Sequence, residues 1–237
     1  MDKTLVVFGA GTGLGTAVAR RFGAAGHRVA LVARDGERLA GLAADLRTEG
    51  IEADAFPADL TRTAEVPALI ARIRERFGRI DVIEYAPITT ELFTPAAGLD
   101  VATEQRYLDL FLLTPIAIVQ AVLPEMRSRG EGGILLGQGV SGVRPAPGLS
   151  GFAPAMAAAR NYMISLHGEL APEGIYAGVL HVAAMIEGSA GHTAAMSGTL
   201  ATGVDFTRIP LVSAADLAEA MWTMLEKREL PERTIPA

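Results

Sequence analysis

Short apolar runs alternate along the chain with longer segments in which apolar residues recur every three or four positions. The short runs are rich in β-branched residues and predict strands, whereas the longer segments predict amphipathic helices. Strands are expected at residues 4–9, 28–33, 51–58, 81–86, 132–137, 176–182 and 233–236. Helices are expected at roughly 14–25, 35–48, 63–77, 101–129, 152–171 and 213–228.

The order of these elements predicts an α/β fold. Strands that are apolar throughout pack in a parallel sheet, which helices cover on both faces. Right-handed crossovers make this a doubly wound, Rossmann-like sheet of about seven strands, in a single domain of residues 1–237. The ligand of such a sheet lies beyond the carboxyl ends of the strands, and we expect the functional site there.

Composition and charge exclude several classes of function. A formal net charge of −6 argues against binding to nucleic acid or to an anionic membrane. The chain has no cysteine, and its four histidines lack the spacing of metal ligands, so we expect no metal site. The longest apolar run, residues 110–123, is too short to span a bilayer and predicts a buried helix. Since no signal peptide is recognisable, these features together favour a cytoplasmic protein.

The first predicted strand runs into the sequence GAGTGLG, residues 9–15, and a helix follows at once. Gly9, Gly13 and Gly15 let the chain turn tightly and let its backbone approach a pyrophosphate, while the helix amino end supplies N–H donors. Thr12 and Leu14 complete the predicted cofactor-binding turn. The alternative is that the glycines serve only the turn, but the strand before and the helix after favour dinucleotide binding.

The end of the second strand indicates which dinucleotide is bound. An acidic residue there would hold a ribose hydroxyl, but Ala33 occupies the tip and Arg34 follows. A guanidinium can bind phosphate through two hydrogen bonds, so the pattern favours NADP over NAD. The alternative interpretation is an exposed arginine without a ligand.

Several motifs resemble those of the short-chain dehydrogenase/reductase family, and the similarity covers nearly the whole chain. They are the G-x-x-x-G-x-G spacing, ADL after the third strand, RFGRIDV before the fourth, QAVLPEM, GVRPAPGLSGFA and SAADLAEAMW. The resemblance implies a nucleotide-dependent oxidoreductase in which Asp59 and Leu60 flank the adenine and Ala86 also contacts the cofactor. It further implies a homodimer or homotetramer formed through helices 101–129 and 152–171.

The catalytic residues of that family are absent. Its reaction uses a Tyr-x-x-x-Lys pair, and the alignment places Phe152 and Met156 at those positions. The family serine corresponds to Gly139 and the family asparagine to Phe111. None of these four side chains can transfer a proton. The turns YAPI at 85–88 and HVAA at 181–184 also depart from the family pattern, so the adenine half of the site is expected to be kept and the nicotinamide half rebuilt.

Other strand ends provide candidates for a proton donor. Tyr85 and His181 are the two preferred catalytic candidates, because a phenol or an imidazole can exchange protons when its surroundings shift its pKa. Gln138, Glu84 and Glu187 are nearby in the sequence. Each has an alternative structural role: Tyr85 can pack where an asparagine is lost, and His181 can be a buried, hydrogen-bonded histidine. Tyr162 and Arg160 point away from the strand ends and are assigned to a subunit interface.

The segment 187–210, rich in glycine, serine, threonine and alanine, follows the sixth strand and is predicted to be a substrate lid. With Met185 and Met196, its small side chains indicate a roomy apolar pocket and a hydrophobic small-molecule substrate. Three functions remain open: a divergent NADP(H)-dependent oxidoreductase, a non-redox relative that catalyses cyclisation, isomerisation or elimination, and a catalytically silent binding or partner subunit.

Overall fold

The computed structural model describes residues 3–89, 94–197 and 208–237. Its strands are β1 Thr4–Phe8, β2 Arg28–Ala33, β3 Ala53–Pro57, β4 Val82–Tyr85, β5 Gly132–Gly139, β6 Ile175–Val182, β7 Met185–Ile186, β8 Leu211–Val212 and β9 Glu232–Ile235. Seven of them form one sheet in the order β3-β2-β1-β4-β5-β6-β9, in which every pair is parallel. The strand order reverses beside β1, which confirms the predicted doubly wound α/β fold.

Helices cover the sheet on both sides. They are α1 Leu14–Ala24, α2 Gly36–Thr48, α3 Val66–Phe77, α4 Val101–Leu108, α5 Thr114–Arg129, α6 Ala153–Leu170, α7 Ala190–Met196 and α8 Ala214–Lys227. The buried side chains of α1, α2 and α8 pack against one face of the sheet, and those of α3, α5 and α6 against the other. Successive residues of β1 alternate between these two cores, as a strand buried on both faces requires.

The predicted helix 101–129 contains one wide turn. Residues Asp109–Leu113 form a π-helical turn between α4 and α5, and the N–H of Thr114 bonds to the carbonyl of Asp109. Pro115 follows and has no N–H for the carbonyl one helical turn before it, which favours such a local widening.

The stretch Val101–Arg129 is, by length and composition, apolar enough to cross a membrane. It contributes Ile118, Val119 and Val122 to the core, however, and Arg74 of α3 donates to the carbonyl of Ala121 at 2.6 Å. These contacts are those of a core helix, and core helices often meet the same compositional test.

Candidate functional site

Two adjoining cavities lie beyond the carboxyl ends of the strands. The first, of about 290 Å³, is bordered by the ends of β2 and β3, and the second, of about 220 Å³, by the ends of β4, β5 and β6. Both are lined by Gly9, Gly11, Pro87 and Ile88, so that they form one continuous groove across the point where the strand order reverses. This is the place where a doubly wound sheet holds its ligand.

The glycine turn between β1 and α1 is tightly packed and leaves the first turn of α1 without a side-chain cap. Gly9 has φ +90°, and a Cβ there would lie 2.6 Å from the backbone of Pro87. A Cβ on Gly15 would lie 3.0 Å from the Cα of Ala10. No side chain caps the first turn of α1, and that turn contains no acidic residue. The N–H groups and partial positive charge of the helix end can therefore receive an anion.

The first cavity combines two arginines with Asp59 and Leu60. Arg34 lies at its edge, and Arg38, one helical turn further along, donates to the carbonyl of Ala10 at 2.7 Å. Although partial burial opposes it, hydrogen bonds from Thr61 and the charge of Arg34 lower the pKa of Asp59. Sequence reasoning missed Arg38; the available signal was its place in the first turn of the helix predicted directly after Arg34.

Asp35 also lines the first cavity, but its carboxylate has a structural role. It caps α2 by accepting a hydrogen bond from the N–H of Arg38 at 3.0 Å. The carboxylate therefore has a partner within the helix, and together with Asp59 it balances the charge of the two guanidinium groups in the cavity lining.

The second cavity is apolar. Among the described residues that line it, none has a titratable side chain. Its polar side chains are those of Thr12, Gln138 and Ser189. All nine residues predicted to bind the cofactor line one cavity or the other: Gly9, Thr12, Gly13, Leu14, Gly15, Arg34, Asp59, Leu60 and Ala86.

The four positions that correspond to the family's catalytic residues lie at or behind the second cavity. Met156 and Gly139 line it. Phe111 and Phe152 are buried, with their ring centroids 6.5 Å apart, and extend the apolar region behind its wall. A Cβ on Gly139 would lie 3.5 Å from the hydroxyl of Ser141, which is buried and makes no hydrogen bond to the described residues. Sequence reasoning did not identify Ser141.

The expectation that Tyr85 donates a proton is corrected by its position. Its ring is buried against Phe8, and its hydroxyl donates to the carbonyl of Leu110. Burial raises the pKa of Tyr85 well above its ordinary value of 10.0. Because the phenol lines neither cavity and its proton is already hydrogen-bonded, it cannot serve the site as proposed.

His181 does not line the second cavity either but lies directly behind Gln138. Its Nδ1 is 3.4 Å from Nε2 of Gln138, and its Nε2 is 3.0 Å from a carboxylate oxygen of Glu232. Burial lowers the pKa of His181, and the hydrogen bond to Glu232 opposes that effect. The expectation of direct catalysis by His181 is therefore corrected, because an amide that does not titrate separates the imidazole from the cavity.

The remaining candidates also lie outside the cavities. Glu84 is fully buried in the sheet, where loss of solvation raises its pKa to about 8, and Glu187 is exposed. Arg160 was assigned to a subunit interface, but it pairs within the chain with both oxygens of Glu232, each at 2.6 Å. Tyr162 packs at the edge of the core.

The predicted lid is held at both ends. β7 directly precedes the lid and β8 directly follows it, and the two strands pair in parallel. Within the lid, Ser189 caps α7. Ser189, Ala190 and Gly191 line the second cavity, as does Met185. Met196 is 61% exposed and lies away from it, which corrects its assignment to the pocket. Residues 198–207 of the predicted lid lie outside the described residues.

Comparison with known proteins gives consistent matches. The family model for short chain dehydrogenase matches residues 3–197. The chain is 30% identical over 235 residues to dehydrogenase/reductase SDR family member 7B of Danio rerio, covering 93% of this chain and 74% of that protein. It is 33% identical over 177 residues to oxidoreductase UcpA of Salmonella typhimurium, covering 73% of this chain and 65% of that protein.

Solved structures with the same fold differ in the nucleotide they contain. L-sorbose reductase from Gluconobacter frateurii, complexed with NADPH and L-sorbose, has a TM-score of 0.87 at 21% identity, covering 99% of this chain and 95% of that one. NAD+-bound xylitol dehydrogenase has a TM-score of 0.86 at 19% identity, covering 98% and 97%. Likeness at this level of identity concerns the fold alone.

Proposed function

We propose a function from one established premise: the chain belongs to the short chain dehydrogenase family, a family of oxidoreductases. The proposal is a divergent NADP(H)-dependent oxidoreductase that acts on a hydrophobic organic substrate without the usual Tyr-Lys proton relay. The observation that carries it is the continuous groove, which joins an uncapped helix end and two arginines to an apolar cavity.

The first cavity supports NADP as the nucleotide. A 2′-phosphate would lie within reach of Arg34 and Arg38, which hold two positive charges at the cavity edge. The bond from Arg38 to Ala10 uses one guanidinium nitrogen and leaves others for a phosphate. Asp35, which would repel the phosphate, is held as the cap of α2. The glycine turn provides the backbone donors for the pyrophosphate.

The second cavity restricts the chemistry that its own residues can assist. A bound NADPH supplies a hydride to an electrophilic carbon. A ketone that receives hydride also needs a proton, and absence of a positioned acid costs about 10²–10⁴ in rate. An iminium carbon needs no proton in that step, and a conjugated carbonyl can be protonated later by water. The apolar lining favours hydrophobic acceptors over simple sugars or acids.

The lining of the second cavity also supports a second candidate function. A cavity whose described lining residues do not titrate is also what a non-redox relative or a silent binding subunit would have. Either would bind an apolar molecule by shape and would show no hydride transfer. Nucleotide binding alone does not separate these functions, whereas turnover does.

The test is titration of the protein with NADPH and NADH by calorimetry. We expect NADPH to bind more tightly, and Arg34→Ala to weaken it about tenfold to a hundredfold while NADH is little changed, since charge-assisted hydrogen bonds contribute about 1.5–3 kcal/mol. Arg72→Ala is the matched control, because Arg72 is an exposed arginine on α3 outside both cavities. Binding of neither nucleotide would refute the proposal.

Turnover is tested with a panel of acceptors at saturating NADPH, followed by the loss of its absorbance. We expect oxidation of NADPH with apolar cyclic iminium salts or conjugated enones and little with simple ketones. Tight binding of NADPH with no turnover of any acceptor would favour the non-redox or silent alternative.

A further inference from the structure

A series of four polar side chains leads from the second cavity to the edge strand β9 of the sheet. Gln138 lies at the end of β5 and lines the cavity, and His181 is its register partner on β6. The imidazole contacts Gln138 through Nδ1 at 3.4 Å and Glu232 of β9 through Nε2 at 3.0 Å. Arg160 of α6 completes the series with two bonds of 2.6 Å to the Glu232 carboxylate. The sheet order places β5, β6 and β9 side by side.

The charge states along this series follow from its contacts. The paired bonds from Arg160 lower the pKa of Glu232, so that its carboxylate is ionised and can only accept hydrogen bonds. Nε2 of His181 must then carry the hydrogen that lies between them. Burial lowers the pKa of His181, which leaves the ring neutral near pH 7 and its Nδ1 an acceptor.

This tautomer determines which way the Gln138 amide faces. An accepting Nδ1 requires the donor nitrogen, Nε2 of Gln138, on its side, as observed. The bond uses the amide nitrogen and leaves the carbonyl oxygen, Oε1, for a ligand in the cavity. The opposite orientation would place Oε1 against the lone pair of Nδ1, which is repulsive.

Glycine at position 142 makes room for this arrangement. A Cβ there would lie 2.9 Å from Nε2 of Gln138 and 3.0 Å from the Cβ of Met156. Any larger side chain would displace the amide from the imidazole or from the cavity wall. Gln138 itself is only 6% exposed, and it lines the second cavity.

We infer that Gln138 is a specificity-determining residue, which accepts a hydrogen bond from a hydroxyl or N–H group of an otherwise apolar substrate. Arg160, Glu232 and His181 are positioning residues that hold its oxygen toward the cavity. A carbonyl oxygen directed at Oε1 would meet it as one acceptor against another, so a carbonyl compound gains no bond there and an enone must place its oxygen elsewhere in the cavity. The identity of this ligand as the substrate rests on the proposed function, whereas the hydrogen-bond preference does not.

The test compares two small apolar probes of the same skeleton, cyclohexanol and cyclohexanone. Their binding to the nucleotide-free protein is measured by saturation-transfer NMR. We expect the alcohol to bind about threefold to tenfold more tightly, the range that one net hydrogen bond provides. Gln138→Leu, with Gln138→Met as a second variant, removes the preference without weakening the ketone. Thermal melting shows which variants are folded.

The positioning role is tested with Glu232→Leu, which removes the acceptor that holds the hydrogen on Nε2 of His181. Either ring nitrogen can then carry the hydrogen, the Gln138 amide can take either orientation, and the preference for the alcohol falls. Glu173→Leu is the matched control, because Glu173 makes a similar paired contact with Arg127 far from the cavity. The control leaves the preference unchanged.

Two results would overturn the inference: equal binding of the two probes to the unaltered protein, or an unchanged preference in both Gln138 variants. An unchanged preference in a folded Glu232→Leu variant would overturn the positioning role. A parallel titration with NADPH separates the sources of the donor group. A loss of NADPH affinity in the Gln138 variants would assign the bond to the nicotinamide amide instead of the substrate. A protein that binds no NADPH but keeps its alcohol preference would refute the proposed function alone.

Discussion

Glu84 offers a quantitative test of how the sheet tolerates a carboxyl group in its core. The side chain is fully buried on β4, on the face covered by α1 and α8, between Val7 and Leu135 of the neighbouring strands. Neither carboxyl oxygen has a hydrogen-bond partner among the described residues. Loss of solvation raises the pKa of Glu84 from 4.5 to about 8. The folded protein therefore holds this group protonated at pH 7, whereas the unfolded chain ionises it.

The effect on stability follows from that difference. A folded-state pKa above the unfolded value means that the group's stabilisation is fully present below pH 4.5 and is lost as the pH rises toward about 8. Each pH unit in this interval changes the free energy of unfolding by about 1.4 kcal/mol. Between pH 4.5 and pH 7, Glu84 alone should therefore lower the stability by about 3 kcal/mol.

The Glu84→Gln variant removes this titration, and Glu84→Met removes the buried polar group as well. Urea unfolding, followed by the fluorescence of Trp222, gives the free energy of unfolding at each pH. We expect the unaltered protein to lose about 3 kcal/mol relative to either variant as the pH rises from 4.5 to 7. Glu75→Gln, at an exposed position on α3, should not change the pH dependence. Parallel curves for the unaltered protein and both Glu84 variants would refute the reasoning.

Two further predictions concern the groove. Gly9→Ala should abolish NADPH binding in calorimetry and lower the melting temperature, because its Cβ would meet Pro87 at 2.6 Å at a φ of +90°. Gly41→Ala, with open space around it in α2, should instead stabilise the fold by about 1 kcal/mol. The triple variant Phe152→Tyr, Met156→Lys and Gly139→Ser should gain NADPH-dependent ketone reduction of about 10²–10⁴-fold over background. A folded, NADPH-binding triple variant without this gain would contradict the expected nicotinamide geometry.

The predicted elements agree with the structure because their signals are local. Strands β1 and β2 and helix α3 begin and end within about three residues of the predicted bounds, and β9 is shifted by one. The exceptions lie where local signals are weak. The lid segment is dominated by small residues without periodicity, and β7 forms only by pairing with β8 across that segment. The π-helical turn lies directly before Pro115, within a stretch whose continuous apolar pattern predicts an uninterrupted helix.

The lining of the first cavity and the glycine turn were accessible to sequence reasoning for a similar reason. The glycine turn, Arg34 and Asp59 each follow a strand end, and all parallel strands present their carboxyl ends at one edge. Residue identity alone also shows that Phe152 and Met156 cannot transfer protons. Arg38 was not predicted, because its place at the first cavity follows from its position on the first turn of α2 and not from its residue type.

The surroundings of the two catalytic candidates, Tyr85 and His181, depended on contacts between distant segments of the chain. Tyr85 faces away from the cavity because its hydroxyl bonds to a carbonyl 25 residues later in the chain. His181 lies behind Gln138 and bonds to Glu232, which is 51 residues away and itself pairs with Arg160 at a separation of 72. No periodic pattern encodes such pairings. Residue types and short spacings specify where strands, helices and the glycine turn occur, whereas the order of strands in the folded sheet selects which polar side chains meet.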